Sequence, residues 1–261
     1  MRGVAVACQA GAKCRSFRRP SPAGRGEQQS KEVRVLKVHG FAVSNYHNMV
    51  RMALMEKGAA FETVEVFPNQ NADYLARSPM GKVPCLETPE GFIAETSVIL
   101  EYIEDAVPGP KFLPSDAYGR ARVRQAMKMI ELYIELPARR LFPGVLFGGA
   151  NPEQTVREVE PVLRRGVAAL AHTLDCRAGV MGDALTLADF MAVFSFPLAG
   201  MVAKKVYGWN MAAEVPGLEA TLEGLGARPT ATWVRCMACS GAAGPRQKVA
   251  TSTKSPRSSR P

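Results

Sequence analysis

Residues Gly81-Lys82-Val83-Pro84-Cys85-Leu86-Glu87-Thr88, followed shortly by Glu95-Thr96-Ser97, decide how the chain is read. Proline has no N–H to give a sheet ladder, so Pro84 is confined to a strand start, an edge or a bulge. Cys85 to Thr88 then reads as the strand. A cis Val83-Pro84 bond would turn the chain sharply and leave the N–H and C=O of Val83 facing outward for a ligand's backbone; a plain trans turn is the alternative. Pro89-Glu90-Gly91 is a turn signal, and Gly91-Phe92-Ile93-Ala94 reads as the second arm of a hairpin. From Val98 the apolar positions Val98, Ile99, Tyr102, Ile103 and Ala106 recur at helical spacing. Thr96 and Ser97 therefore fall in a first turn, where backbone N–H groups lack partners. A carboxylate is welcome there, and Glu95 can meet an ammonium beside it, which suits the zwitterionic head of a small peptide-like anion. A simple cap by Thr96, with Glu95 as a dipole partner, uses the same residues.

Upstream, Val33 to Val38 alternates as a strand and Gly40 ends it. Met49, Val50, Ala53 and Leu54 form the buried stripe of a helix with Gly58 at its C-terminus, and Phe61 to Val66 returns as a second strand. This β-α-β unit makes two parallel strands, and the proline-led hairpin adds an antiparallel pair. Residues 32–107 thus form a first domain, and the prolines of 108–115 a linker. Residues 116–235 read as helical, with helices expected over Ala117 to Leu141, Pro152 to Leu174 and Thr186 to Met201. Thr186-Leu187-Ala188-Asp189 has capping-box spacing with Asp in place of Glu, ahead of the apolar face Phe190, Val193, Phe194 and Leu198.

The 261 residues are long enough for two modest cores, and 47% hydrophobic content indicates a globular chain. The formal charge of +9 invites a nucleic-acid partner until it is located. Residues 1–31 carry +6 and 236–261 carry +5, which leaves −2 for the body. The basic excess belongs to the two flanks, so no nucleic-acid partner is expected. Both flanks are rich in Ser, Pro, Gly and Ala and are expected to be disordered. Arg15, Arg18, Arg19 and Arg25, with almost no acid, leave an organelle-targeting extension as the alternative to a cytoplasmic location. No segment is read as a membrane span. Cys8 and Cys14 lie in one flank and Cys236 and Cys239 in the other; Cys85 and Cys176 lie in the body. No zinc-like pair of pairs occurs, so no metal is expected, and a reducing compartment fits. Cys236-Met237-Ala238-Cys239 has redox spacing, but it is expected in tail sequence without the strand and helix that such a pair needs.

The region Val33 to Val234 resembles the soluble glutathione S-transferases. The resemblance rests on Ser44-Asn45-Tyr46-His47-Asn48-Met49-Val50-Arg51 with Glu56-Lys57-Gly58, on Ser78-Pro79-Met80-Gly81-Lys82-Val83-Pro84, and on Glu95-Thr96-Ser97-Val98-Ile99-Leu100-Glu101-Tyr102. Leu136-Pro137-Ala138-Arg139-Arg140-Leu141, Leu185-Thr186-Leu187-Ala188-Asp189-Phe190 and Pro216-Gly217-Leu218 continue it. The opening Ser-Asn-Tyr and the Leu-Pro-Ala-Arg-Arg segment look most like bacterial-type, serine-type members. The resemblance implies an α/β thioredoxin-like domain with a mixed four-stranded sheet, followed by an all-α domain. It implies glutathione as co-substrate, held by Lys82 at the glycyl carboxylate, Val83 and Pro84 at the cysteinyl backbone, and Glu95 with Thr96 at the γ-glutamyl head. Ser44 would activate the thiol, with Tyr46 and Asn48 as alternates, and no cysteine stands at that place. Tyr133, Arg139 and Phe142 would line the site of a small hydrophobic electrophile, with Arg139 and Arg140 able to steer an anionic one. A homodimer is expected; a noncatalytic binding module of the same fold is the competing function.

Overall fold

The structure, a computed structural model, describes residues 35–240; the expected disordered flank 1–31, and residues 241–261 of the expected flank 236–261, lie outside the described residues. Four strands form one mixed sheet in the order β2-β1-β3-β4. β1 (Leu36–Gly40) and β2 (Phe61–Glu65) are parallel, so the chain must cross over between them, and α1 (Asn45–Glu56) is the crossover. β3 (Cys85–Thr88) runs antiparallel to β1 with Leu86 opposite Val38, and β4 (Gly91–Ala94) closes the hairpin. A one-turn helix α2 (Ala72–Leu75) lies between β2 and β3, and α3 (Thr96–Ala106) follows β4. This is the expected thioredoxin-like arrangement.

α1 starts where it does because Ser44 is extended and its Oγ accepts the His47 N–H at 3.3 Å. Met49, Val50, Met52, Ala53 and Leu54 are fully buried, as are Val38 of β1 and Leu86 of β3. After α1, Gly58 adopts φ +68°, the left-handed conformation that releases a helix end. Lys57 then meets Glu104 of α3 at 2.8 Å with both side chains buried. The same carboxylate accepts the N–H groups of Phe112 at 3.1 Å and Leu113 at 3.3 Å. One buried acid thereby fixes the exit of α1, the end of α3 and the linker, and places Phe112 edge-on against Phe190 at 5.0 Å.

Beyond the linker come α4 (Ala117–Ile130), a π-helical turn (Glu131–Glu135), α5 (Leu136–Arg139) and α6 (Phe142–Leu146), then α7 (Glu153–Ala171), α8 (Leu187–Tyr207), α9 (Leu218–Ala227) and α10 (Pro229–Ser240). The single helix expected over Ala117 to Leu141 is therefore broken. Pro137 supplies no N–H, and the turn before it widens so that the Leu136 N–H bonds Glu131 C=O, five residues back. α8 opens on the expected capping box. Asp189, fully buried, accepts the Thr186 N–H at 2.6 Å, the Thr186 hydroxyl at 2.8 Å and the Val180 N–H at 2.6 Å. The last of these bonds ties down the short loop after α7.

Two expectations are corrected. α8 runs past Met201 to Tyr207 and is long and apolar enough to cross a membrane, although no such segment was read from the sequence; most of it is buried as the core helix. The helical body also continues past residue 235, because Ala231 and Val234 are buried and Trp233 lies 5.0 Å from the Arg51 guanidinium, anchoring α10 on α1. Cys236-Met237-Ala238-Cys239 is thus helical.

Replacing Glu104 by Gln leaves a buried lysine without its counter-charge, and is expected to lower unfolding stability by about 3 kcal/mol, read from the urea midpoint. Glu56 accepts from Arg228 at 2.8 and 2.7 Å and from Thr230 at 2.5 Å. Burial raises its pKa, but these hydrogen bonds and the Arg228 charge outweigh burial and hold the carboxyl below the usual range. A depressed carboxyl stabilises the fold above its unfolded pKa and loses that contribution as pH falls through its folded one. Glu56→Gln should therefore cost stability near neutrality and flatten the acid limb of a stability-against-pH curve.

Candidate active site

The loop before β3 is built around two constraints. Gly81 has φ +63°, and a Cβ there would fall 2.1 Å from the Asn69 carbonyl oxygen, so only glycine fits. The Lys82 carbonyl accepts hydroxyls from Tyr74 at 2.9 Å and Ser78 at 2.8 Å, which pins the backbone while the Lys82 side chain stays exposed. The Val83-Pro84 bond is cis, not the plain trans turn.

Glu95 is the N-cap residue of α3 with φ 68°, the sole described non-glycine residue with a positive φ. Its side chain makes no capping bond, and since Glu95 rather than Thr96 holds the N-cap position, the simple cap by Thr96 is not what forms. Thr96 is instead the first helical residue and is buried, and the first-turn N–H groups of α3 have no side-chain acceptor among the described residues. A strained backbone at a cleft is a feature of sites that hold ligands.

Lys82, Val83, Pro84, Glu95 and Thr96 line one cavity of about 150 Å³ together with Tyr46. Glu131 and Leu136, from the π turn and the start of α5, close it from the helical side. Lys82, Glu95, Glu131 and the first turn of α3 all contribute to the lining, and the Glu131 carboxylate is paired with Lys128 at 2.7 Å. Such a lining suits a ligand that carries charges of both signs.

The three candidate activators are separated by what they are bonded to. Asn48 is buried, with its amide N–H on Ala42 C=O at 2.8 Å and its oxygen accepting from Arg51 at 3.2 Å. The Tyr46 hydroxyl donates to Glu135 at 2.6 Å. Burial first, then the charge and hydrogen bond of Glu135, push its pKa well above the ordinary tyrosine value, so the phenol keeps its proton. Ser44 accepts at Oγ from the His47 N–H, and among the described residues nothing accepts its hydroxyl proton. Ser44 does not itself line the cavity; it caps the helix whose second residue, Tyr46, does.

None of Tyr133, Arg139 and Phe142 lines the cavity. Tyr133 is exposed, Phe142 is buried, and the Arg139 guanidinium lies 5.1 Å from the ring centres of both Tyr46 and Phe142. Arg139 is bonded to Glu135 and to Asn45. Leu136 belongs to the segment 133–147 that was expected, with Tyr46, to line the pocket; sequence reasoning missed Glu131, Asn45 and Glu135, for which the legible hint was the acid four residues before Arg139, a helical ion-pair spacing.

The profile described as glutathione S-transferase, N-terminal domain, matches residues 38–111. A protein of Pseudomonas putida named glutathione S-transferase is 45% identical over 195 residues, 75% of this chain and 89% of that relative. The chain belongs to the glutathione S-transferase family. Among solved family structures, a glutathione S-transferase of Methylobacterium radiotolerans in complex with glutathione sulfonate aligns with TM-score 0.61 and 25% identity, over 76% of this chain and 93% of its own. A maleylacetoacetate isomerase of Methylobacterium extorquens with bound malonate and glutathione aligns with TM-score 0.61 and 26% identity, over 79% and 99%. For this transferase, Glu95→Gly should relieve the positive φ and leave the fold about 1 kcal/mol more stable than Glu95→Ala in urea unfolding.

Proposed function

We propose that the protein is a glutathione transferase that ionises the glutathione thiol beside Ser44 and adds it to a small hydrophobic electrophile. The observation that carries the reading is the meeting of Lys82, the Val83-Pro84 turn and Glu95-Thr96 on one cavity. In this reading Lys82 holds the glycyl carboxylate and the Val83 backbone pairs with that of the cysteinyl residue. Glu95 and the first turn of α3 hold the ammonium and carboxylate of the γ-glutamyl head.

Glutathione supplies the nucleophile, and only as a thiolate is it a good one. A thiol of pKa about 8.5 is roughly 3% ionised at pH 7; lowering the pKa by about 1.5 ionises half of it, a change of about 2 kcal/mol. A hydroxyl proton and the N-terminus of α1 suffice for that. Capping and activation are compatible at Ser44, because capping uses its oxygen as an acceptor and leaves its proton for the sulfur. The bonding of Tyr46 and Asn48 to other groups favours Ser44 over both alternates. Arg139 is paired with Glu135, which favours an uncharged electrophile against the wall of Tyr46 and Leu136 over an anionic one steered by arginine. The same sulfur would serve isomerisation, the activity in the name of one structural neighbour. A homodimer belongs to this reading, with the exposed Val98 and Leu132 as apolar surface to cover; so does a cytoplasmic location, which suits the free thiols Cys85 and Cys176.

The wild-type protein is expected to be retained on immobilised glutathione and to turn over a generic aryl halide. Correctly folded protein that does neither would shift the reading to a noncatalytic module. Ser44→Ala should cut turnover near neutrality by about tenfold, the loss of thiolate expected from the pKa change above, and move the pH-rate profile upward while retention persists. An unmoved profile passes the role to Tyr46 or Asn48.

A further inference from the structure

We propose that Glu135 is a positioning residue for thiol activation, clamping Asn45 and Tyr46 so that the hydroxyl of the adjoining Ser44 is held toward the sulfur. The inference rests on the reading of Ser44 given above. Glu135 ends the π turn, and its side chain is fully buried. Its Oε1 accepts from Asn45 Nδ2 at 3.0 Å and from Arg139 Nη2; its Oε2 accepts from the Tyr46 hydroxyl at 2.6 Å and from Arg139 Nε at 3.2 Å. Arg139 Nη2 also donates to Asn45 Oδ1 at 2.9 Å, which closes the ring of bonds.

The first two residues of α1 are thus tied to one carboxylate about ninety positions away. Ser44 is one peptide unit before them. Its own side-chain bond, to the His47 N–H, is long at 3.3 Å, so the aim of its hydroxyl depends on how firmly the first turn of α1 is held. A well-packed apolar side chain would fill the place of Glu135 without the cost of burying a charge. What the carboxylate adds is direction: four bonds from three residues, two of them from the rigid fork of an arginine. With no exposed surface, Glu135 does not touch substrate.

The wide turn sets this geometry. Glu131, at its start, lines the cavity, while Glu135, at its end, lies in the buried network. The Tyr46 hydroxyl is then engaged by Glu135, and the activating proton is left to Ser44.

The test is a pH titration of the ultraviolet absorbance of bound thiolate, with glutathione affinity measured by calorimetry, on wild type, Glu135→Gln, Ser44→Ala and the double variant. Glu135→Gln should raise the thiol pKa by about one unit, roughly a tenfold loss of thiolate below neutrality, with affinity retained. The double variant should shift no further than Ser44→Ala alone, because one residue acts through the other. A folded, glutathione-binding Glu135→Gln with an unmoved thiol pKa overturns the clamp, as does an additive shift in the double variant. Should Glu135→Gln not fold, Asn45→Ala decides, since it removes one tether yet leaves Glu135 paired with Arg139 and Tyr46; an unmoved thiol pKa there overturns the clamp too. A wild-type protein that leaves the thiol pKa at its free value defeats the Ser44 reading itself, and the clamp with it.

Discussion

Backbone N–H groups without partners at the starts of α1 and α3 are the feature on which the rest of the molecule depends. The mixed sheet brings the first helical residue of α3, Thr96, and the second residue of α1, Tyr46, to one cavity, and each helix leads with a residue whose conformation is not helical. Ser44 is extended and donates no capping proton, while Glu95 sits at φ 68° with its carboxylate unbonded to the helix. Burying those N–H groups without acceptors would be costly. Leaving them at the edge of a cavity turns the same deficit into attraction for negative charge, a carboxylate at one helix and, in the proposed chemistry, a sulfur at the other.

Holding two helix ends at a cleft requires that the surrounding contacts over-determine them. On the sheet side this is done by backbone chemistry: the glycine-only turn at Gly81, and the Lys82 carbonyl bonded by two hydroxyls. On the helical side it is done by buried acids. Glu104 joins Lys57 to the linker, Asp189 joins α8 to the loop before it, and Glu135 joins α1 to the π turn. Each of the three carboxylates is satisfied by several donors, which is the condition under which a buried charge fixes geometry rather than weakening the fold.

What was legible in the sequence follows from the range of the interaction that decides each feature. The strand start at Pro84, the glycine after α1 and the Thr186 capping box depend on residues within a turn of one another, and residue type alone announces them. The break after Ile130 was hidden because Ile130, Ile134, Ala138 and Leu141, all fully buried, keep a helix-like spacing straight through the wider turn. The last helix was read short because Cys236 to Ser240 has the composition of a tail, while its anchor is the packing of Ala231, Trp233 and Val234 on distant elements. Glu135 and Asn45 were invisible for the same reason, since their meaning lies in a contact made only once the helical region has packed on α1.

The most direct test of the central claim is the ionisation of glutathione itself on the wild-type protein. Nuclear magnetic resonance of the tripeptide, isotope-labelled at the cysteinyl β-carbon and titrated with pH while bound, reports the sulfur's protonation without any turnover. The account predicts a midpoint near neutrality, about 1.5 units below that of the free thiol. A bound tripeptide that titrates at the free value of about 8.5 would contradict it.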